Sequence, residues 1–440
     1  MSLEKIKRKF KSYKRIFEAD TLGSFDFFTC IVCLDSVDSL GFEEFQKAQV
    51  SKDYSVLSKI TPLVVHEFTH FIDSTSTIWG MNHLRKMNEA YCSNNVKGGT
   101  EEGFYKAKSF LEHAKSLRLP NYYTLIDSSK SPTRPWQSRI TMGKQFGLDG
   151  KISENPILFS HFSNAHGDLL ARSPVSTVSI LEASAMSNEM VIRLALINDL
   201  EENERLVESG IYQREALNYI YNQNITEYSV CVHIVANQLQ CKDLFVAFQI
   251  CSIITRLVLN FPEALLDTVA ASAKIHDLLG IPEGHEFEIR MRNGIKSQNL
   301  GILYFLICRS LPKDTADSRA KMIAGIEAAL SQICLSLDLV AKEASKEIEK
   351  IADELSSSKL KAIKILSESG IDNFKNISLV STNLDLSKLS LPSAYLGDGI
   401  EVSIFKNENS LLKNVSIEEI FADLYEGQEW VERFAEACTA

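Results

Sequence analysis

Thr61-Pro-Leu-Val-Val-His-Glu-Phe-Thr-His-Phe-Ile-Asp73 is the stretch that decides how this chain is read. Inside it, His66-Glu67-Phe68-Thr69-His70 is an H-E-x-x-H sequence. On a helix, positions i and i+4 share one face, a turn apart. Two imidazoles so placed can bind one tetrahedral metal ion from the same side. Glu67 falls about 100° round the helix from His66, close enough to reach a water on that ion without ligating it. The pattern is a two-histidine platform with a general base beside it.

The flanking residues predict a helix. Thr61 is suited to cap it, and Pro62 then falls at the first helical position, where a missing N–H costs little. Val64, Val65, Phe68, Phe71 and Ile72 make a buried apolar stripe. His66, His70 and Asp73 make a separate polar stripe at i, i+4 and i+7. Chance H-E-x-x-H sequences usually fall on charged, solvated stretches, and this one does not. The plain alternative is a pair of core histidines with no metal. A second stretch, His285-Glu286-Phe287-Glu288-Ile289, starts the same way but has Ile where the second His would stand. It reads as a loop with no metal role.

On these residues the stretch resembles the zinc helix of the zincin metallopeptidases, in the glutamate-zincin pattern. The resemblance covers some fifteen residues. It implies a peptidase-type fold, a catalytic zinc ion (Zn2+) and hydrolysis of a peptide or amide bond, with a protein or peptide substrate. Metzincins continue the motif with Gly three residues after the second His and a third His three further on. Here those positions are Asp73 and Ser76, so that variant fails and the third ligand comes from elsewhere. Asp73 is a candidate acceptor for the free N–H of His70, or a surface residue.

Composition bounds the other classes. A chain of 440 residues has room for two or three domains, and 45% hydrophobic with 24% charged residues is the balance of a globular protein. A net charge of -10 argues against nucleic acid as the main partner. The basic N-terminus lacks the apolar core of a secretory signal. No membrane span is expected: the best candidate, Leu244 to Phe261, is interrupted by Gln249, Ser252, Thr255 and Arg256 and reads as a buried helix. Nine cysteines without a framework spacing suggest reduced thiols and a cytoplasmic protein. Cys30-x-x-Cys33 lies in a strand-like run and has no partner pair for a zinc ribbon.

Residues 3–19 read as a lysine-faced amphipathic helix, solvated or touching an anionic partner. Phe25 to Leu34 reads as a strand; zincins carry an edge strand before the zinc helix, where it lines the cleft and pairs with extended substrate. Ser74 to Gly80 reads as a helix end. Residues 81–118 look helical, with a break at Gly98-Gly99. Residues 119–172 are rich in Pro and Gly, a long insertion of the kind that builds clefts. Its Tyr122, Tyr123, Trp136, His161, His166 and Arg172 are candidate oxyanion or carbonyl donors, though such loop residues are more often structural. From Ser173-Pro174, read as a helix start, the chain is mostly helical, with one long helix over Ser318 to Leu355. The tail contains a strand over Gly399 to Phe405 and a closing helix over Ile417 to Ala437. The expected fold is α+β and predominantly α-helical: a zincin-like core over 1–240, a helical region over 241–370 and a small C-terminal α/β module over 371–440.

The resemblance asks for a carboxylate from a later helix. Ser179-Ile-Leu-Glu182-Ala-Ser-Ala-Met186 looks like that helix, because Leu181 and the small Ala183, Ser184 and Ala185 allow a close approach. A carboxylate in such an apolar setting is costly unless paired or metal-bound. Glu182 is therefore the expected third metal ligand beside His66 and His70. A capping box from Ser179 is the competing account. Glu189, Glu227 and Asp127 are rivals. Glu67 is the expected catalytic base, and Tyr228 or Glu189 is expected either behind the metal ligands or near the oxyanion. Two other classes stay open: a zincin-like regulatory or binding protein without turnover, against which an intact Glu67 argues, and a helical scaffold in which the motif is accidental.

Overall fold

The computed structural model describes residues 22–93, 101–147, 150–405, 407–413 and 415–439. The expected N-terminal helix and the Gly98-Gly99 break lie outside these residues. The described chain is predominantly helical with two small sheets, an α+β arrangement. Its elements begin with β1 (Ser24–Asp26), β2 (Ile31–Leu34), α1 (Ser39–Ser51), α2 (Tyr54–Thr75), α3 (Ile78–Cys92) and α4 (Glu101–Leu117). Then come β3 (Leu125–Ile126), β4 (Gln137–Phe146), β5 (Ile152–Ser163), β6 (Leu169–Pro174), α5 (Thr177–Asn198), α6 (Glu202–Ile220), α7 (Thr226–Leu239) and α8 (Leu244–Leu259). The rest are α9 (Glu263–Ser272), α10 (Ile275–Leu279), α11 (Glu286–Lys296), α12 (Leu300–Arg309), α13 (Arg319–Gln332), α14 (Leu337–Ser356), α15 (Lys361–Asn376), β7 (Ala394–Leu396), β8 (Glu401–Val402) and α16 (Ile417–Thr439). They group into two compact units, one of Met1–Glu112, Ile348–Ser378 and Leu384–Ala440, the other of His113–Glu347 and Leu379–Asn383.

The first unit is built on a sheet of order β1-β2-β7-β8. β2 is Ile-Val-Cys-Leu, buried throughout. Such a run suits a central strand covered on both faces. Ile31 and Cys33 pack with Tyr395, Ile417 and Phe421 on one face, so Val32 and Leu34 point to the other by alternation, the side on which α2 touches β1 and β2. β7 pairs with β2 in parallel, Val32 opposite Ala394. The strand expected over Phe25 to Leu34 is a hairpin instead. The Asp26 carboxylate accepts the N–H of Phe28 at 3.0 Å and the hydroxyl of Thr29 at 2.6 Å, and Cys30 turns left-handed at φ 55°. An Asp that binds the backbone just beyond itself offers the chain a turn in place of a ladder. The tail strand is confined to Glu401–Val402.

α2 starts earlier than the sequence suggests. Asp53 caps it by accepting the N–H of Ser55 at 2.9 Å, and Pro62 lies inside the helix. Pro62 removes one helical hydrogen bond, a cost normally of about 3 kcal/mol. Burial of Pro62 and nearly every residue from Val64 to Thr75 offsets it. α2 ends at a corner. The Thr77 hydroxyl donates to the Asp73 carbonyl at 2.6 Å and accepts the N–H of Gly80 at 3.0 Å, ending one helix and capping the next. A side chain on Gly80 would overlap the backbone of Asp73 and Ser74.

The second unit carries an antiparallel sheet of order β3-β6-β5-β4. Its centre is the β4–β5 hairpin, with Gln137 opposite Ser163 and Phe146 opposite Ile152. Asn164 turns β5 into β6 by accepting the N–H groups of His166 and Asp168, with Gly167 at φ 85°. Ser173-Pro174 ends β6 rather than opening a helix. α5 begins three residues later at Thr177, capped reciprocally by Ser176 and Ser179. α8 is buried over nearly its whole length. The single helix expected over Ser318 to Leu355 is two, α13 and α14, separated where Cys334 adopts φ 65°. No single helix among the described residues is long and apolar enough to cross a membrane.

Candidate metal centre

The sequence places His66 and His70 on one face of α2, and the structure shows how that face is furnished. His66 is half-buried and His70 is buried. Their rings stand 5.0 Å apart at 78°. The Phe25 and Phe27 rings lie 6.3 and 6.0 Å from the His70 ring, so the β1 end of the hairpin walls one side. Glu67 is only 5% exposed. Beyond His70, Asp73 is buried on the same stripe.

Glu182 sits in the second turn of α5. Ser176 and Ser179 satisfy each other at the cap, which frees Glu182 from any capping duty. Ser179 is thus part of a capping box, but with Ser176 rather than with Glu182. Ala183, Ser184 and Ala185 are buried around it, and Glu182 itself is 8% exposed. His66, His70 and Glu182 each present one ligand atom, and these atoms all lie within 4.8 Å of one another. Two imidazole nitrogens and one carboxylate oxygen are a donor set suited to zinc, with a tetrahedral position left over.

Two of the rival carboxylates, Glu227 and Asp127, are otherwise occupied. Glu227 accepts from Arg118 Nε at 3.2 Å and from the Ser176 hydroxyl at 3.2 Å. Burial raises its pKa, and the Arg118 charge pulls it back. Asp127 is half-buried and closes a turn by accepting the N–H and hydroxyl of Ser129. Glu189 is half-buried, two turns along α5 from Glu182. Tyr228 is half-buried beside Glu227 on α7.

Tyr219, near the end of α6, carries no local mark of function in the sequence. Its hydroxyl is buried and has no hydrogen-bond partner among the described residues. Burial raises its pKa well above the usual tyrosine range, and the nearby Glu182, Glu189 and Tyr228 push the same way. It therefore stays a neutral O–H donor. The signal available was weak: Tyr212, Ala216 and Tyr219 share one face of a helix that is otherwise highly charged, and nothing local says what that face meets.

The loop candidates hold the sheet together. Tyr123 Oη accepts the N–H of Phe146 at 2.6 Å. Arg172 lies over the Phe159 ring and donates to the carbonyls of Tyr122 and Tyr123. Trp136 stacks on His233 at 5.9 Å. His161 pairs with Thr141 at 2.8 Å, and His166 lies in the β5–β6 turn. The second H-E stretch is a helix start rather than a loop. His285 Nδ1 accepts the N–H of Phe287, capping α11, and the buried Glu288 binds Arg292 and His276. Cys30 and Cys33 are buried free thiols, and burial pushes both well above the usual thiol range. Such thiols are unreactive.

The chain matches no protein-family model, no curated protein and no solved structure.

Proposed function

We propose that this protein is a zinc-dependent metallopeptidase with a zincin-like core, in which His66, His70 and Glu182 hold the metal and Glu67 is the general base. The observation that carries this reading is the meeting of three ligand atoms within 4.8 Å, one residue away from a buried carboxylate that is not a member of the set. Zinc in such a site supplies Lewis-acid activation of a water at neutral pH. Glu67 accepts the proton of the attacking water and returns it to the leaving amine, so the amide bond breaks with no net change in the protein. The Tyr219 hydroxyl, or that of Tyr228, donates a hydrogen bond to the developing oxyanion. β1 stands at one end of its sheet. That position suits an extended peptide adding as a further strand, with main-chain hydrogen bonds holding it.

The test is metal content followed by cleavage. Protein purified without chelator carries about one zinc per chain on this reading. His66→Ala and Glu182→Ala lose the metal, whereas Glu227→Ala and Glu189→Ala keep it. Glu67→Gln keeps metal and fold but loses cleavage of a mixed peptide library followed by mass spectrometry. Folded wild type that never binds zinc overturns the reading; wild type that binds zinc and never cleaves is a binding protein on the same scaffold.

A further inference from the structure

The approach of the chain to β1 passes against the proposed base. Gly23 lies immediately before Ser24. A Cβ at position 23 would fall 2.8 Å from both Cγ and Oε1 of Glu67, and 3.0 Å from Cδ1 of Leu63. Carbon atoms in contact prefer about 3.5–4.0 Å, so no side chain fits there with Glu67 where it is. Leu63 and Glu67 are one turn apart on α2, and Gly23 rests on the face they share.

Backbone freedom does not explain the glycine, because Gly23 is not in the left-handed region. Only space does. The chain on either side of it is pinned. The Leu22 carbonyl accepts both the N–H and the hydroxyl of Ser36 at 2.8 Å. Ser24 pairs with Cys33 in the sheet and donates its hydroxyl to Asp35 at 3.1 Å. The strand entry therefore has no room to retreat. What yields to an added methyl is the flexible end of Glu67, with the tip of Leu63.

We propose that Gly23 is a positioning residue for Glu67: its missing side chain leaves the space that sets where the carboxylate stands. The inference rests on the peptidase reading for its catalytic consequence, though not for its steric content. A group displaced by about 1 Å from its working geometry costs on the order of a hundredfold in rate. Gly23 acts through Glu67 and touches no reacting atom.

Gly23→Ala tests this. The variant keeps zinc at the wild-type stoichiometry, and kcat falls at least tenfold with KM nearly unchanged. A second measurement does not depend on catalysis. Gly23→Ala lowers Tm in the wild-type background, and lowers it far less alongside Glu67→Ala, which removes the Cγ it would meet. Wild-type kcat in Gly23→Ala, or equal Tm losses in both backgrounds, overturns the proposal. Wild-type protein without zinc or cleavage overturns the peptidase reading instead, and the paired Tm measurements still decide whether Gly23 holds Glu67 in place.

Discussion

A buried hydroxyl with no hydrogen-bond partner is expensive. Leaving such a group unsatisfied costs about 1–3 kcal/mol, and Tyr219, whose hydroxyl has no partner among the described residues, carries one beside Glu182, Glu189 and Tyr228. A phenylalanine of the same shape removes that cost. Tyr219→Phe is therefore expected to melt at the wild-type temperature or above it, with zinc content unchanged. If the hydroxyl serves the oxyanion, the same variant loses about tenfold or more in kcat, the scale of a lost donor. A variant that is both more stable and less active identifies a group kept for function. Tyr219→Phe with full activity removes the phenol from the mechanism and leaves Tyr228, whose own Phe variant is the comparison. His66, Glu67 and His70 were legible at this scale because the spacing that makes a metal platform is local. Tyr219 was not, since its meaning lies in what surrounds it.

At the scale of elements, the histidine helix is held by close backbone contacts. α15 crosses the end of α2 at Gly370, where a Cβ would overlap the carbonyl of Thr75. Asn373 fastens the same crossing by donating to Ser76 Oγ at 3.2 Å and to the Ser390 carbonyl at 3.0 Å. Because the obstructing atom is backbone, the crossing has no soft part to give way. Gly370→Ala is expected to destabilise by about 2 kcal/mol or more, read as a drop in Tm, while Gly210→Ala, which meets open space in a helix, is neutral or slightly stabilising. Equal melting of the two variants would show that the crossing is looser than it looks. Helix periodicity in the sequence marks α2 but not its start at Tyr54. Pro62 is a strong local signal for a first turn, and the Asp53 cap with tertiary burial overrode it.

At the scale of the molecule, two buried histidines make folding depend on pH. His83 is fully enclosed, bonded to the Phe27 carbonyl at 2.7 Å and stacked on Trp79 at 5.7 Å. Burial lowers its pKa to about 4, against a partial rise from the Phe27 bond. His233, bonded to the Ile220 carbonyl at 2.8 Å, is likewise lowered by burial to about 4. Each is neutral in the folded chain and protonated in the unfolded chain between that value and about 6.5. The unfolded state binds more protons in this window, so stability rises with pH. The contribution is complete above pH ~6.5 and is lost as pH falls through about 4. At ~1.4 kcal/mol per pH unit, each histidine accounts for up to about 3 kcal/mol. Denaturant unfolding from pH 7 to pH 4, with chelator throughout to remove metal release, should show a steep loss. His83→Gln and His233→Gln should each flatten it. An unchanged slope in both variants would assign the acid limb to other groups.

The local chemistry is written in the sequence: two imidazoles and a carboxylate on one helix, an apolar stripe beneath them, and a mostly helical chain. These follow from spacing along a single element, which needs no knowledge of what that element touches. It also singled out Glu182, because a carboxylate among Leu181, Ala183 and Ala185 has no cheap place to be. The fold then brings one ligand atom each of His66, His70 and Glu182 within 4.8 Å of one another. It alone paired β2 with β7, residues some 360 positions apart, and brought Gly23 against Glu67. Those facts depend on which surfaces meet when apolar area is buried, and residues distant in sequence carry no local mark of the neighbour they will acquire.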